Sequence, residues 1–136
     1  MYKVVKEVKW DAAHRLLNYD GLCSHIHGHS FRALFTYECS ILNKDGMAID
    51  FNTIKNKIQK WVDEYWDHAF MLNSKDPLVK ILSKYEDRIW IMQGNPTAEN
   101  MANFLFMKFK YTFLEVNLRS VEVFEGPKSS AIYEEG

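Results

Sequence analysis

Seven consecutive residues hold much of the reactive chemistry of this chain: Cys23-Ser24-His25-Ile26-His27-Gly28-His29. They bring a thiol and three imidazoles close together, and a further imidazole, His14, follows Trp10-Asp11-Ala12-Ala13 upstream. Neutral imidazole and thiolate are the donors that zinc takes in tetrahedral sites. In an extended strand residues i and i+2 share a face, about 7 Å apart, so His27 and His29 can converge on one ion. Three histidines with an open fourth position would make a catalytic centre. With Cys23 as a closing ligand the same set would be structural. His25 shares the parity of His27 and His29, and spacing leaves open which of the three bind. Outside the coordination set, Cys23 would be a nucleophile or a base. Gly28 has no side chain and lets another group approach its backbone closely. Further on, Asp67-His68 pairs a carboxylate with an imidazole that it could orient, although adjacent side chains often point apart. Glu125 ends an apolar row, either as a strand-end charge in water or as an anchor for a ligand.

The surrounding pattern says what must position these groups. Residues 2–10 alternate as a strand with one wet face. Residues 15–24, with Asn18 and Asp20-Gly21, read as a loop carrying Cys23. A long strand over 27–42 sets Phe31, Ala33, Phe35, Tyr37, Cys39 and Ile41 on one parity, which makes Cys39 a buried, inert thiol. Asn43-Lys44-Asp45-Gly46 is a turn, and 47–49 can run back briefly as a strand. Asp50 caps an amphipathic helix over 51–65, whose Ile54, Ile58, Trp61 and Val62 recur at helical spacing; its lysines form a solvated face. A short helix is expected over 78–84 and a short buried strand over 89–92. Thr97 caps a second helix over 98–113. Glu99 in its first turn either suits the helix dipole or meets a substrate. A last strand spans 118–125, and 127–136 is left as a tail. That order predicts an α+β fold in one domain, 1–136, with an antiparallel four-stranded sheet and two helices on one face.

Composition narrows the function. A formal net charge of −1 offers no basic stripe for nucleic acid. Two cysteines are too few for a disulfide framework. No leader pattern and no long apolar run point to a membrane, so a soluble cytoplasmic protein is expected. Aromatic residues reach 15%, more surface than so short a chain readily buries alone, which favours burial between subunits.

The order Ala12-Ala13-His14, Cys23-x3-His27-Gly28-His29, Asp50-Phe51, Asp67-His68, Leu72-Asn73, Pro96-Thr97-Ala98-Glu99-Asn100 and Glu125 resembles the 6-pyruvoyl- and 6-carboxy-tetrahydropterin synthase family over nearly the whole chain. The resemblance implies His14, His27 and His29 as Zn²⁺ ligands and leaves His25 out. It implies Cys23 as the proton-abstracting base with Asp67 and His68 as relay partners, and Glu125 as the pterin anchor that can join the relay. Thr97 and Glu99 are further candidates for substrate contact. Three positions depart from the family pattern: Trp10 for Phe, Trp66 for Leu and Gly126 for Thr. The resemblance also implies the tunnelling fold, an oligomeric barrel built as a homohexamer, and a lyase acting on 7,8-dihydroneopterin triphosphate. Its 6-carboxy branch, which feeds queuosine synthesis, is preferred because the chain is short and the loop from His14 to Cys23 compact. The 6-pyruvoyl branch is the alternative, and a structural zinc or pterin-binding protein is the alternative of another class.

Overall fold

The computed structural model describes residues 1–136. Its frame is a six-stranded mixed sheet in the order β4-β3-β1-β2-β5-β6. The strands are β1 (Tyr2–His14), β2 (His27–Cys39), β3 (Phe70–Asn73), β4 (Ile89–Met92), β5 (Asn117–Glu125) and β6 (Ser130–Glu134). β1, β2, β5 and β6 pair antiparallel, while β3 joins β1, and β4 joins β3, in parallel. The expectation of four antiparallel strands is therefore corrected. β3 lies in the apolar run Ala69-Phe70-Met71-Leu72, which shows no alternation because parallel strands are covered on both faces. β6 lies in the segment read as a tail. Residues 47–49 form no strand, and β4 is an edge strand with Ile91 exposed rather than a buried one.

β1 and β2 pair along their whole length, from Tyr2 opposite Cys39 to His14 opposite His27. Val8, Trp10, Ala12 and His14 on β1, and Phe31, Ala33, Phe35, Tyr37 and Cys39 on β2, share the covered face. Two helical stretches lie over it. The first joins α1 (Phe51–Ile54), a π-helical segment (Lys55–Gln59) and α2 (Lys60–Tyr65). A short helix α3 (Leu78–Leu82) follows, and α4 (Ala98–Phe109) packs on β5 and β6. Ile54, Ile58, Val62 and Trp66 are all fully buried at intervals of four. An α-helix would rotate such a row by about 40° per step. The wider π turn takes rotation back and keeps the row facing the sheet.

The π segment also aims Gln59 at the free edge of β1. Gln59 Oε1 accepts from the Lys9 amide at 3.0 Å and Nε2 donates to the Lys9 carbonyl at 2.9 Å. Two residues on, the Asp11 amide donates to Asp67 Oδ1 at 2.9 Å and the Asp11 carbonyl accepts from His68 N at 2.6 Å. The edge that no strand covers is thus satisfied by one side-chain amide and the Asp67-His68 step. Two family departures meet here, since the Trp10 and Trp66 rings lie 5.1 Å apart and Trp10 also stacks on Phe31 at 5.5 Å. Their bulk fixes the end of α2, and with it Asp67, against β1. Arg88 closes that helix end by donating to the carbonyls of Asp63, Glu64 and Asp67.

Candidate functional site

The strand register does the first part of the assembly. Pairing His14 with His27 and Ala12 with His29 puts three imidazoles on one face at the end of the β1–β2 ladder. Gly28 lies between the two β2 histidines, and a Cβ there would stand 3.0 Å from the Ala12 carbonyl oxygen. The close neighbour of Gly28 is therefore β1 itself, so glycine lets the strands approach where the rings must converge.

The ring centroids lie 4.6 Å (His14–His27), 5.1 Å (His14–His29) and 4.9 Å (His27–His29) apart. His14 is 1% exposed, and burial is the main cause that pushes its pKa below the ordinary imidazole value, so its neutral form is favoured. His14 Nδ1 donates to the Pro96 carbonyl at 2.7 Å, and His27 Nδ1 donates to the His25 carbonyl at 2.7 Å. Both bonds commit the proton to Nδ1 and leave Nε2 as a lone pair. The two Nε2 atoms then face one another at 3.0 Å. Two lone pairs at that distance repel unless a cation stands beside them. His29 Nε2 is buried without a hydrogen-bond partner. Glu125 Oε1 lies 3.0 Å from it, at an angle that makes no hydrogen bond. One donor atom from each of His14, His27, His29 and Glu125 falls within 4.8 Å of all the others. Three imidazole nitrogens and a carboxylate, with a buried nitrogen lacking a hydrogen-bond partner among them, suit a divalent transition metal.

The structure thus brings His14, His27, His29 and Glu125 together. His25 contributes only its backbone carbonyl to that group. Cys23 lies outside it, in a one-turn 3₁₀ helix (Leu22–Ser24), as a free, half-buried thiol. Glu125, and not Cys23, supplies the fourth potential donor atom beside the three rings. Gly126, the third departure, has φ +74° in the turn between β5 and β6, a conformation that glycine adopts without the cost a Cβ would bring.

Asp67 and His68 pair as the sequence suggested, with His68 Nδ1 2.9 Å from Asp67 Oδ2. Burial raises the Asp67 pKa, but the Asp11 amide, His68 and Arg88 outweigh it and hold the carboxyl below its ordinary range. His68 has φ +61°, which ends the helical stretch and turns its ring outward. That ring lines a groove with Asp11, Ala12, Ala13, Gly28, His29 and Ser30, residues of both parities near the paired ends of β1 and β2. The His68 side chain is largely exposed and stands outside the cluster of His14, His27, His29 and Glu125. Thr97 Oγ1 accepts from the Asn100 amide at 3.1 Å as the cap of α4, and Glu99 is exposed in its first turn.

Sequence reasoning missed the backbone carbonyls of Pro96 and His25, and Arg88, which orients Asp67 through its carbonyl. A carbonyl has no sequence identity. Only the break at Gly94-Asn95-Pro96 hinted that the chain turns back there.

Fold and site together define an α+β protein with a three-imidazole, one-carboxylate centre at the end of an antiparallel ladder. The model of the 6-pyruvoyl tetrahydropterin synthase family matches residues 3–136, and the chain belongs to that family. A Rickettsia conorii protein named 6-carboxy-5,6,7,8-tetrahydropterin synthase is 33% identical over 132 residues, 93% of this chain and 96% of the relative. A Haemophilus influenzae protein of the same name is 28% identical, covering 99% of this chain and 100% of its own length. Among solved structures, an uncharacterized protein from Wolinella succinogenes superposes with TM-score 0.87 at 24% identity, covering 99% of this chain and 98% of that one. The 6-pyruvoyltetrahydropterin synthase of Plasmodium vivax superposes with TM-score 0.72 at 18% identity over the same shares, which is a likeness of fold.

Proposed function

We propose that this chain is a zinc-dependent lyase that converts 7,8-dihydroneopterin triphosphate and water to 6-carboxy-5,6,7,8-tetrahydropterin, acetaldehyde and triphosphate. The observation that carries the reading is the converged His14, His27 and His29 set in a chain whose curated relatives bear the 6-carboxy name. His14, His27 and His29 would hold the ion. Bound zinc supplies Lewis-acid polarisation of the substrate's side-chain oxygens. Cys23, as thiolate, takes protons from the side-chain carbons. His68, oriented by Asp67, passes them on. Glu125 grips the guanidine-like edge of the pterin by paired charge-assisted hydrogen bonds. Its closeness to His29 lets it join the relay beside the centre. Thr97 and Glu99 meet the substrate from the start of α4, next to the carbonyl that fixes His14.

The exposed position of His68, outside the cluster of His14, His27 and His29, supports a homo-oligomer in which one copy brings Asp67-His68 to the centre of another. A hexamer in the cytoplasm is the form proposed. The family includes 6-pyruvoyl synthases, so the product decides the branch. Zinc-loaded protein is incubated with dihydroneopterin triphosphate, and products are followed by chromatography and mass spectrometry. A 6-carboxy product with matching acetaldehyde is expected. A 6-pyruvoyl product without acetaldehyde would move the chain to the other branch, and no turnover in folded, metal-filled protein would overturn the lyase reading. Cys23→Ala is expected to keep the metal and lose turnover by at least about 10³-fold, whereas His27→Ala loses both.

A further inference from the structure

We propose that Asn95 is a positioning residue that sets the Cys23 loop in register with the metal ligand His14. The inference rests on the reading of Cys23 as the base, and its experiment separates the two.

The loop leaves β1 immediately after His14 and returns at His27. Cys23 is a free thiol on this loop, so the loop backbone is what places it. Three anchors hold that backbone. Arg15 clasps Asp76, with Nε 2.7 Å from Oδ2 and Nη2 2.5 Å from Oδ1. The Leu16 amide donates to the Cys23 carbonyl at 2.9 Å and closes the loop on itself. The Leu17 amide donates to Asn95 Oδ1 at 2.8 Å, and Asn95 Nδ2 donates to the Leu17 carbonyl at 3.1 Å. Asn95 thereby serves Leu17 as a strand neighbour would, through one side chain.

Asn95 cannot rotate out of this role cheaply. Its Oδ1 also accepts from Asn73 Nδ2 at 3.1 Å, which leaves Nδ2 to donate. Its own carbonyl accepts from the Thr97 amide at 2.8 Å and from Asn100 Nδ2 at 2.8 Å, tying it to the start of α4. The next residue, buried Pro96, offers the carbonyl that holds His14 Nδ1 at 2.7 Å. Two consecutive residues therefore orient a metal ligand and pin the thiol loop. Displacement of one relative to the other is resisted by the α4 start. Catalysis between a fixed centre and a loop-borne base is sensitive to such registry, because a misplacement of about 1 Å can cost about 100-fold in rate.

The test uses full-length zinc-loaded protein and two substitutions. Asn95→Ala removes both bonds to Leu17 and the one from Asn73; Asn95→Asp keeps the shape but sets a charged acceptor against the Leu17 carbonyl, and serves if the alanine variant folds poorly. Asn100→Ala cuts a different bond of the same turn and is the structural control. Amide exchange, iodoacetamide alkylation of Cys23 mapped by peptide mass, zinc content and kinetics are measured. For the Asn95 variants, exchange over residues 16–24 should rise by at least about tenfold, and the alkylation rate should change by at least about fivefold. The kcat should fall by about 10- to 100-fold with KM within about threefold and zinc retained. Unchanged alkylation, or the same change in Asn100→Ala, would overturn the proposal. If the wild-type protein shows no turnover, the lyase reading fails, and exchange and alkylation alone decide the role of Asn95.

Discussion

His68 occupies a position where a glycine would be at ease. A non-glycine residue at φ +61° at a helix end carries a cost of about 1 kcal/mol, and the fold keeps an imidazole there. Retained strain of this kind marks groups that are used for something. His68→Gly is therefore expected to leave urea-unfolding stability equal or raised by up to about 1 kcal/mol while turnover falls by at least about 100-fold. A clear loss of stability would show that the ring is structural. At this scale the sequence was informative wherever side-chain identity carries the chemistry. The set His14, His27 and His29 came from the resemblance, since strand spacing alone made His25 an equal candidate. The choice against His25 was not derivable from spacing, since it needs the backbone turn that directs the His25 carbonyl, and not its ring, at His27. The nearness of Glu125 to His29 depends on the β2–β5 register, in which Phe31 faces Glu125, and no local pattern encodes that.

Among the elements, the long amphipathic ones were readable and the short ones were not. The row Ile54, Ile58, Val62 and Trp66 announces a helix, while its π turn leaves no more trace than a repeat of four where three and four would alternate. Gln59→Ala should lower stability by about 1 kcal/mol and speed exchange at the Lys9 amide, because the β1 edge loses its substitute partner. Unchanged exchange there would mean that solvent replaces Gln59 without cost. β3 and β6 escaped notice because four or five residues, one buried run and one thin alternation, fall below what periodicity resolves. The segment after β3 carries a further test. The Asp76 side chain is fully buried, and Arg15, chiefly by hydrogen bonding, holds its carboxyl below the ordinary range. A carboxyl lowered in the folded state adds stability that is present above its unfolded value and lost as pH falls through the folded one. Asp76→Asn should thus cost about 2 kcal/mol at pH 7, and the gap to wild type should close below about pH 4. Urea unfolding at several pH values checks both, and a gap that persists in acid would show that packing, not charge, is what the substitution removes.

At the scale of the molecule, the groups that the proposed chemistry requires do not all meet within one chain. The His14, His27 and His29 rings cluster with one another, and His14 and His29 pack on Phe31, whereas the His68 side chain is exposed and outside that cluster. A proton passes between two side chains only within hydrogen-bond reach or through a bridging water, so the proposed relay needs His68 brought to the cluster. Closed assembly of identical copies would solve this by bringing the His68 of one chain to the cluster of the next. The consequence is specific. Cys23→Ala and His68→Ala should each be inactive alone. Mixed in equal amounts under conditions that let subunits exchange, they should recover about a quarter of wild-type activity, since one site in four then draws an intact Cys23 and an intact His68 from different copies. Native mass spectrometry of the mixture establishes that the subunits have exchanged. Absence of recovery in mixed oligomers would mean that each chain assembles its own set, and that His68 reaches the centre by a movement of the Asp67-His68 turn around the end of β1.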